Sequence, residues 1–149
     1  MVQQAIAQKL QPIFEPLFSD GSYGYRPERS GQQAMCKVKK YVDERYPYVA
    51  EVDLSKYFDT INHELLMNLL RKLIQDTHVI RLIKKYLKSG VMENGIVCRT
   101  DEGSPQGGPL SPLLADIYLN EFDQEMKHRG VPVIRYADDS APRRRVRVA

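Results

Sequence analysis

Three aspartates of this sequence lie where carboxylates could hold a metal ion. Asp53 follows a short run rich in β-branched residues, residues 48–52, and the adjacent pair Asp138 and Asp139 follows a second such run, residues 131–136. Both runs are typical of strands, so each carboxylate site is expected at a strand end. Asp53 and Asp138 are 85 residues apart, but adjacent positions in a single sheet would bring them together.

Clustered carboxylates repel one another, and binding Mg²⁺ relieves that repulsion. Such a cluster suits two-metal phosphoryl transfer, in which one ion activates a hydroxyl and the other steadies the leaving group. Consecutive residues of a regular strand face opposite sides, so a tight turn at residues 137–139 is expected if Asp138 and Asp139 address one site. The alternative for an isolated Asp-Asp pair is a helix N-terminus or an ordinary turn.

A loop rich in glycine and proline lies between the two carboxylate sites. Residues 103–112 (GSPQGGPLSP) contain three glycines and three prolines, too many for a helix or a central strand. Such backbone can approach a ligand closely, and Gln106 could hydrogen-bond a sugar, base or phosphate. An ordinary ordered loop is the alternative.

Apolar periodicity and capping residues predict the helices. Residues 2–18 form a helix that Pro12 and Pro16 interrupt, because proline removes a donor and crowds the preceding turn. Side-chain caps at Ser30, Asn62 and Thr77 begin three more helices, and a last helix runs over residues 111–128.

Apolar stripes on these helices predict the core, and one dipeptide predicts a hairpin. The helix after Asn62 carries a stripe of leucines expected in the core: Leu65, Leu66, Leu69, Leu70 and Leu73. Asn94 and Gly95 predict a hairpin over residues 92–99, since this dipeptide accepts the positive φ of a tight turn.

Composition limits the functional classes. The 149 residues are 42% hydrophobic, enough for the core of one domain, and no apolar stretch is long enough to span a bilayer. The N-terminus lacks signal-peptide features and there are only two cysteines, so a cytoplasmic setting is expected. Residues 140–149 contain four arginines and no acid, and removing those charges from the total of +3 leaves −1. Binding of nucleic acid by the rest of the chain must therefore depend on local basic clusters.

Four segments together resemble successive motifs of reverse transcriptases, and they look most like those of the group II intron-encoded type. They are residues 22–30 (SYGYRPERS), 53–63 (DLSKYFDTINH), 103–115 (GSPQGGPLSPLLA) and 136–139 (YADD). The resemblance covers residues 2–139 in the expected order and spacing, and four linked motifs are far more specific than any one.

The resemblance implies a metal site and a nucleotide site. Asp53, Asp138 and Asp139, with the backbone of Leu54, would hold two Mg²⁺ ions, and Mn²⁺ is an alternative ion. Phe58 would lie under the incoming sugar and reject a 2′-hydroxyl; from the residues alone, a core aromatic at the strand-to-helix turn is the alternative. The backbone of Leu54 and of the three residues Ser55, Lys56 and Tyr57 would bind the triphosphate.

Further contacts are implied for the loop and for two arginines. Gln106 and Gly107 would line the nucleotide pocket. Arg26 and Arg29 would lie near the template, which fits phosphate contact. A solvated loop position is the alternative for either arginine.

The fold implied is α+β: a polymerase palm with a βαββαβ-like antiparallel sheet carrying helices on one face, plus part of the fingers. Residues 1–47 would be a partial fingers region and residues 48–139 the palm. Residues 140–149 form an atypical basic tail, where family members continue into an apolar strand and a thumb. Pro142 and the three consecutive arginines that follow it do not suit a buried strand, so a truncated chain is expected.

The function implied is RNA-directed DNA polymerase, a nucleotidyltransferase that joins a primer 3′-hydroxyl to the α-phosphate of a deoxynucleotide. Its partners would be an RNA template, a DNA primer, deoxynucleoside triphosphates and its own intron RNA, with no membrane. Activity of this chain alone is doubtful, because phosphoryl transfer depends on positioning that a thumb supplies. The alternatives are a non-catalytic module that binds intron RNA and assists splicing, as maturases do, and an inactive remnant.

Overall fold

The computed structural model divides the chain into two compact units. The first unit comprises Met1–Pro16 and Lys56–Tyr118, and the second comprises Leu17–Ser55 and Leu119–Ala149. The structure describes residues 1–44, 50–52, 54, 56–89, 91–93, 96–98, 102–105, 107–137 and 146–148. Within these ranges, no helix is both long and apolar enough to cross a membrane.

The first unit is helical apart from one hairpin. Helix α1 spans Val2–Phe14 and is followed by a 3-10 turn, Glu15–Leu17, at the boundary between the units. The other elements in chain order are α3 (Tyr57–Thr60), α4 (His63–Arg71), α5 (Thr77–Leu87), the antiparallel strands β2 (Val91–Glu93) and β3 (Ile96–Cys98), and the start of α6 (Ser111–His128). Among the described residues, the most deeply buried apolar side chains of this unit come from α4, α5, α6 and the residues next to these helices: Ile61, Leu66, Leu70, Ile83, Leu87, Leu110 and Leu114.

The helix caps agree with the sequence at two of three predicted positions. The Asn62 side chain accepts from Leu65 N at 3.0 Å, and Ser30 exchanges hydrogen bonds with Gln33 in a capping box. The prediction of Thr77 as a cap is wrong. Asp76 caps α5 instead, because its carboxylate accepts from two backbone N–H groups and Thr77 becomes the first helical residue.

Two other expectations about the helices are wrong in detail. Helix α1 continues through Pro12 and ends at Phe14, two residues before Pro16. Pro12 is tolerated because its missing N–H removes a single hydrogen bond from a helix whose buried face includes Leu10 and Phe14. The leucine stripe of α4 is narrower than expected: Leu65 is 55% exposed and Leu73 44% exposed.

The second unit packs one helix and the end of α6 with a small sheet. Helix α2 spans Gly31–Glu44, and the sheet has three antiparallel strands in the order β1 (Ala50–Val52), β5 (Val146–Val148) and β4 (Val133–Ile134). Tyr23, Ala34, Val38 and Ile134 form a buried cluster, against which Tyr41 and Tyr136 pack.

The expected βαββαβ sheet is not confirmed by the described strands. The order of strand, helices, hairpin, helix and strand along the chain is as predicted, but β2 and β3 pair only with each other. Strands β1 and β4 are not neighbours, because each pairs with β5. The sequence argument against a buried strand concerned residues 142–145, which lie outside the described residues. Val146–Val148 form strand β5, where β-branched residues favour extended backbone.

A buried ion pair joins α6 to the end of β4 in the second unit. The Arg135 side chain is 1% exposed, and its Nε and Nη2 donate to the Asp123 carboxylate at 3.1 and 3.0 Å. Nη2 also donates to Ser22 Oγ at 2.7 Å. The loop before α2 is fixed to the same segment by backbone hydrogen bonds from Arg135 N to Gly21 O and from Tyr23 N to Arg135 O, both 2.8 Å.

Replacing Asp123 by alanine should strongly destabilise the fold, because it leaves the buried Arg135 guanidinium without its counter-charge. We expect a loss of about 3–5 kcal/mol in the free energy of unfolding, measured by denaturant titration. The control is Glu125→Ala, which breaks an exposed ion pair with Arg129 and should cost less than about 1 kcal/mol. Equal losses for the two variants would contradict the assigned role of the buried pair.

Candidate active site

The three predicted metal-site aspartates lie outside the described residues, as do Ser55 and Gln106. The structure does describe the backbone immediately before both carboxylate sites. Strand β1 ends at Val52, one residue before Asp53. Ala137 has φ +52°, a left-handed conformation directly before Asp138, so the chain leaves the extended conformation there, in the segment where the sequence predicts a tight turn.

The loop at residues 22–24 supports the segment that leads to Asp138. A Cβ added to Gly24 would lie 2.0 Å from Ala137 N, so only glycine permits this approach of the two backbones. Two residues earlier in both segments, Ser22 and Arg135 form a parallel β-bridge. Residues 22–24 of the first sequence motif therefore contact the backbone that leads to Asp138 in the fourth motif.

No group of three or more His, Cys, Asp or Glu side chains that could hold a metal is found within the described ranges. The Mg²⁺ expectation thus depends on Asp53, Asp138 and Asp139, and their roles stay predictions.

The segment after Asp53 turns into a short helix. Lys56 has φ +50° and ψ +40° at the start of α3, and Leu54 is half-buried. Tyr57 is a buried residue whose hydroxyl donates to Ala115 O at 2.9 Å, so its side chain fixes α3 to α6. Contact of this backbone with a triphosphate stays a prediction.

Phe58 is 6% exposed and lies edge-on to Tyr57, with ring centroids 5.8 Å apart. This burial fits the alternative of a core aromatic at the strand-to-helix turn. A role in rejecting a 2′-hydroxyl stays a prediction, and the sugar selection of a Phe58→Val variant would distinguish that role from burial in the core.

Three hydrogen bonds hold the glycine- and proline-rich loop against α3, against Ile61 directly after it, and against His63 at the start of α4. Gly103 N donates to Ile61 O at 2.8 Å, Ser104 N donates to Phe58 O at 2.6 Å, and His63 Nε2 donates to Gly103 O. A Cβ on Gly103, where φ is +87°, would lie 3.0–3.1 Å from backbone atoms of Phe58 and Asp59. The loop and the turn after Asp53 therefore form one closely packed structure.

A group of hydroxyls holds the other side of the same loop. Ser111 Oγ donates to Pro105 O and can accept from Ser104 Oγ at 2.7 Å and from the Tyr86 hydroxyl at 2.6 Å. A Cβ on Gly108 would lie 2.3 Å from the Tyr86 hydroxyl and 2.7 Å from Gln3 Oε1, so a larger residue there must displace these side chains. The loop is anchored before and after Gln106, whereas Gly107, with φ +86°, has open space where a Cβ would lie.

The sequence alone did not reveal which side chains hold this loop in position. They are His63, Tyr86, Ser104 and Ser111. His63 is buried, and its Nδ1 has no hydrogen-bond partner in the described part of the chain. The sequence places it directly after the capping Asn62 and at the end of the motif at residues 53–63, and neither position reveals a contact 40 residues away.

The two arginines expected near the template are both engaged within the second unit. Arg26 is 8% exposed, its Nη1 donates to Ser19 O and Ser22 O, and its guanidinium lies over the Phe18 ring. A solvated loop position is therefore wrong for Arg26. Arg29 is more exposed, pairs with Asp20 at 3.6 Å and lies over the Tyr23 ring. Template contact by either arginine stays a prediction.

Comparison with known proteins identifies the family of this chain and several of its relatives. Residues 1–141 match the family described as reverse transcriptase (RNA-dependent DNA polymerase), and the chain belongs to that family. Protein YkfC of Escherichia coli K12 is 44% identical over 133 residues, which are 87% of this chain and 35% of that protein.

The relatives include proteins encoded by group II introns. The group II intron-encoded protein LtrA of Lactococcus lactis is 42% identical over 124 residues, 83% of this chain and 20% of that protein. A solved chain of a partial Cas6-RT-Cas1--Cas2 complex is 30% identical and matches 85% of this chain and 22% of its own length, with a TM-score of 0.47. The chain thus spans between a fifth and about a third of the length of these proteins.

Anchoring of the loop should make Gly103 much less tolerant of substitution than Gly107. Alanine at either position must adopt a positive φ, which costs about 1–2 kcal/mol. Gly103→Ala must also move the backbone of α3, so we expect it to lower the free energy of unfolding by about 1–3 kcal/mol more than Gly107→Ala. Denaturant titration of both variants measures the difference, and equal losses would show that the loop is not held against α3.

Proposed function

We propose that this chain supplies the metal-binding and nucleotide-binding parts of an RNA-directed DNA polymerase of the group II intron-encoded type. The observation that carries the proposal is the family match over residues 1–141, which includes Asp53, the loop at residues 103–108 and the pair Asp138 and Asp139. The relatives named as intron-encoded proteins support the choice of type.

In this proposal, the carboxylates of Asp53, Asp138 and Asp139 hold two Mg²⁺ ions, with the backbone of Leu54 beside them. Bound Mg²⁺ would supply charge neutralisation at the phosphates and a lowered pKa of the attacking hydroxyl. Three aspartates provide the hard oxygen ligands that this ion prefers.

The remaining roles concern positioning of the nucleotide. The backbone of Ser55, Lys56 and Tyr57 receives the triphosphate, Phe58 borders the sugar, and Gln106 with Gly107 borders the base. The anchoring of residues 103–108 supports this assignment, because a nucleotide-binding loop must be rigid to orient a substrate. The partners are an RNA template, a DNA primer and deoxynucleoside triphosphates.

Primer extension on an RNA template tests the proposal. We expect any extension of a DNA primer by the 149-residue chain to require Mg²⁺ and to stop when the ion is chelated. Asp138→Ala should lower the rate by about 10²–10³-fold, because it removes charge stabilisation from the reacting phosphate. The control is Asp43→Ala on the exposed face of α2, which should leave the rate unchanged.

Two results would contradict the polymerase assignment. Extension that survives Asp138→Ala would remove Asp138 from the site. RNA binding that survives Asp138→Ala, with no extension by the original chain, would favour the non-catalytic module that binds intron RNA.

A second test separates the two explanations for the burial of Phe58. If its ring borders the sugar, Phe58→Val should raise incorporation of ribonucleotides relative to deoxynucleotides by about tenfold or more. Phe14→Val is the matched control, since Phe14 is a buried aromatic of the same unit at 4% exposure. Both variants should lose stability, and loss of stability by Phe58→Val without a change in sugar selection would assign Phe58 to the core alone.

A further inference from the structure

A cavity in the second unit has no role in the proposed polymerase chemistry. Its volume is about 330 Å³, and it is lined by the loop at residues 19–21, by Lys37 and Tyr41 of α2, by Asp123 and Lys127 of α6, and by residues 130–133. This volume is at the lower end of the range for small-molecule sites.

The wall formed by the loop at residues 19–21 is rigid. A Cβ on Gly21 would lie 1.9 Å from Val133 O, so the loop and the first residue of β4 are in direct backbone contact. Ser19 N donates to Asn120 Oδ1 at 3.3 Å, and Arg26 donates to Ser19 O at 2.7 Å. The cavity is therefore preformed, which lowers the entropic cost of filling it.

The carboxylates that line the cavity are already neutralised. Asp20 pairs with Arg29, and Asp123 forms the buried pair with Arg135. An anion entering the cavity would thus meet little net repulsion from these two side chains.

The two lysines that line the cavity have no carboxylate partner among the described residues, unlike their neighbours. Lys40 of α2 pairs with Glu44, and Arg129 pairs with Glu125. Lys37 Nζ lies instead over the Tyr41 ring, 5.6 Å from its centroid, which holds the ammonium beside the cavity. Within the described residues, the cavity therefore retains two positive charges that no carboxylate pairs with.

The end of α6 near the cavity does not cancel these charges. Gly130 N donates to Lys127 O and Val131 N donates to Met126 O, so two carbonyls at this helix terminus are satisfied by the chain itself. This pairing reduces the repulsion that free carbonyls would exert on an anion.

We propose that this cavity binds a phosphate group, with Lys37 and Lys127 as its ligands, and that the phosphate belongs to a nucleotide unit. Two ammonium groups donate charge-assisted hydrogen bonds to phosphate oxygens. The aromatic ring of Tyr41 and the apolar side chains of Val131 and Pro132 line the space that a sugar or base would occupy. The proposal is independent of the polymerase assignment, since it involves none of the residues proposed to bind metal or nucleotide there.

Binding of a fluorescent 12-nucleotide single-stranded RNA and of adenosine 5′-monophosphate to the 149-residue chain tests the proposal. Lys37→Ala with Lys127→Ala should weaken binding on the order of tenfold. The slope of log affinity against log salt for the RNA should fall by about 0.7, as expected for one lost phosphate contact. The control, Lys40→Ala with Arg129→Ala, removes the same charge from α2 and from the residue that directly follows α6, and should change affinity less than about twofold.

Substitution of both lysines by arginine should retain binding, and circular dichroism would verify that each variant is folded. Binding of the monophosphate and its competition with RNA would identify a free-nucleotide site, whereas binding of RNA alone would identify a site for a strand. The proposal is overturned if the lysine variant and its control bind equally, or if the original chain binds neither ligand. Because no measurement here depends on primer extension, failure of the polymerase assignment would not affect the result.

Discussion

The buried Arg135 guanidinium is the constraint on which the second unit depends. It lies three residues before Asp138, it pairs with Asp123 of α6, and it donates to Ser22 in the loop before α2. A charged group with almost no exposure is tolerated only when its donors are satisfied, so α6, the loop and the end of β4 must meet in one arrangement. Few other arrangements of these three segments would leave the guanidinium paired.

The first unit solves a similar problem with backbone and hydroxyl groups. Its glycine- and proline-rich loop has few apolar side chains to bury, so packing alone cannot hold it. Hydrogen bonds from Gly103, Ser104 and His63 fix one side of the loop, and Ser111 with Tyr86 fixes the other. Both units therefore use polar contacts to position segments that must remain free of bulky side chains. These hydrogen bonds are directional, and each weakens steeply when its donor–acceptor distance or angle departs from the preferred values.

Local sequence signals predicted much of the fold because they act over a few residues. The caps at Asn62 and Ser30, the end of α6 before Gly130 and the hairpin strands β2 and β3 follow from side chains close in sequence. The pairing of strands could not be predicted in the same way. Strand β5 lies between β1 and β4, and this choice depends on long-range hydrogen bonds that no local pattern encodes.

The candidate site, like the fold, could be predicted only in part from the sequence. The resemblance to reverse transcriptases, confirmed by the family match, identified the segments that carry it, but not the contacts that hold them. Arg26 illustrates the reason, since a loop arginine was expected either at the template or in solvent and is instead buried against Phe18. Burial of a charged side chain depends on the carbonyls that surround it, and these come from the folded loop rather than from the sequence pattern.

Polar anchoring also explains why Gly21 and Gly24 cannot be exchanged for other small residues. At Gly21 and Gly24 an added methyl carbon would lie 1.9 Å from Val133 O and 2.0 Å from Ala137 N, distances that require the backbones to separate. Separation would break the hydrogen bonds between the loop and Arg135, and with them the support of the segment that leads to Asp138. A site that depends on accurately placed carboxylates needs such support from neighbouring residues. Gly21, Gly24 and Arg135 therefore act on the same segment of backbone, although more than 100 residues separate the two glycines from the arginine in the sequence.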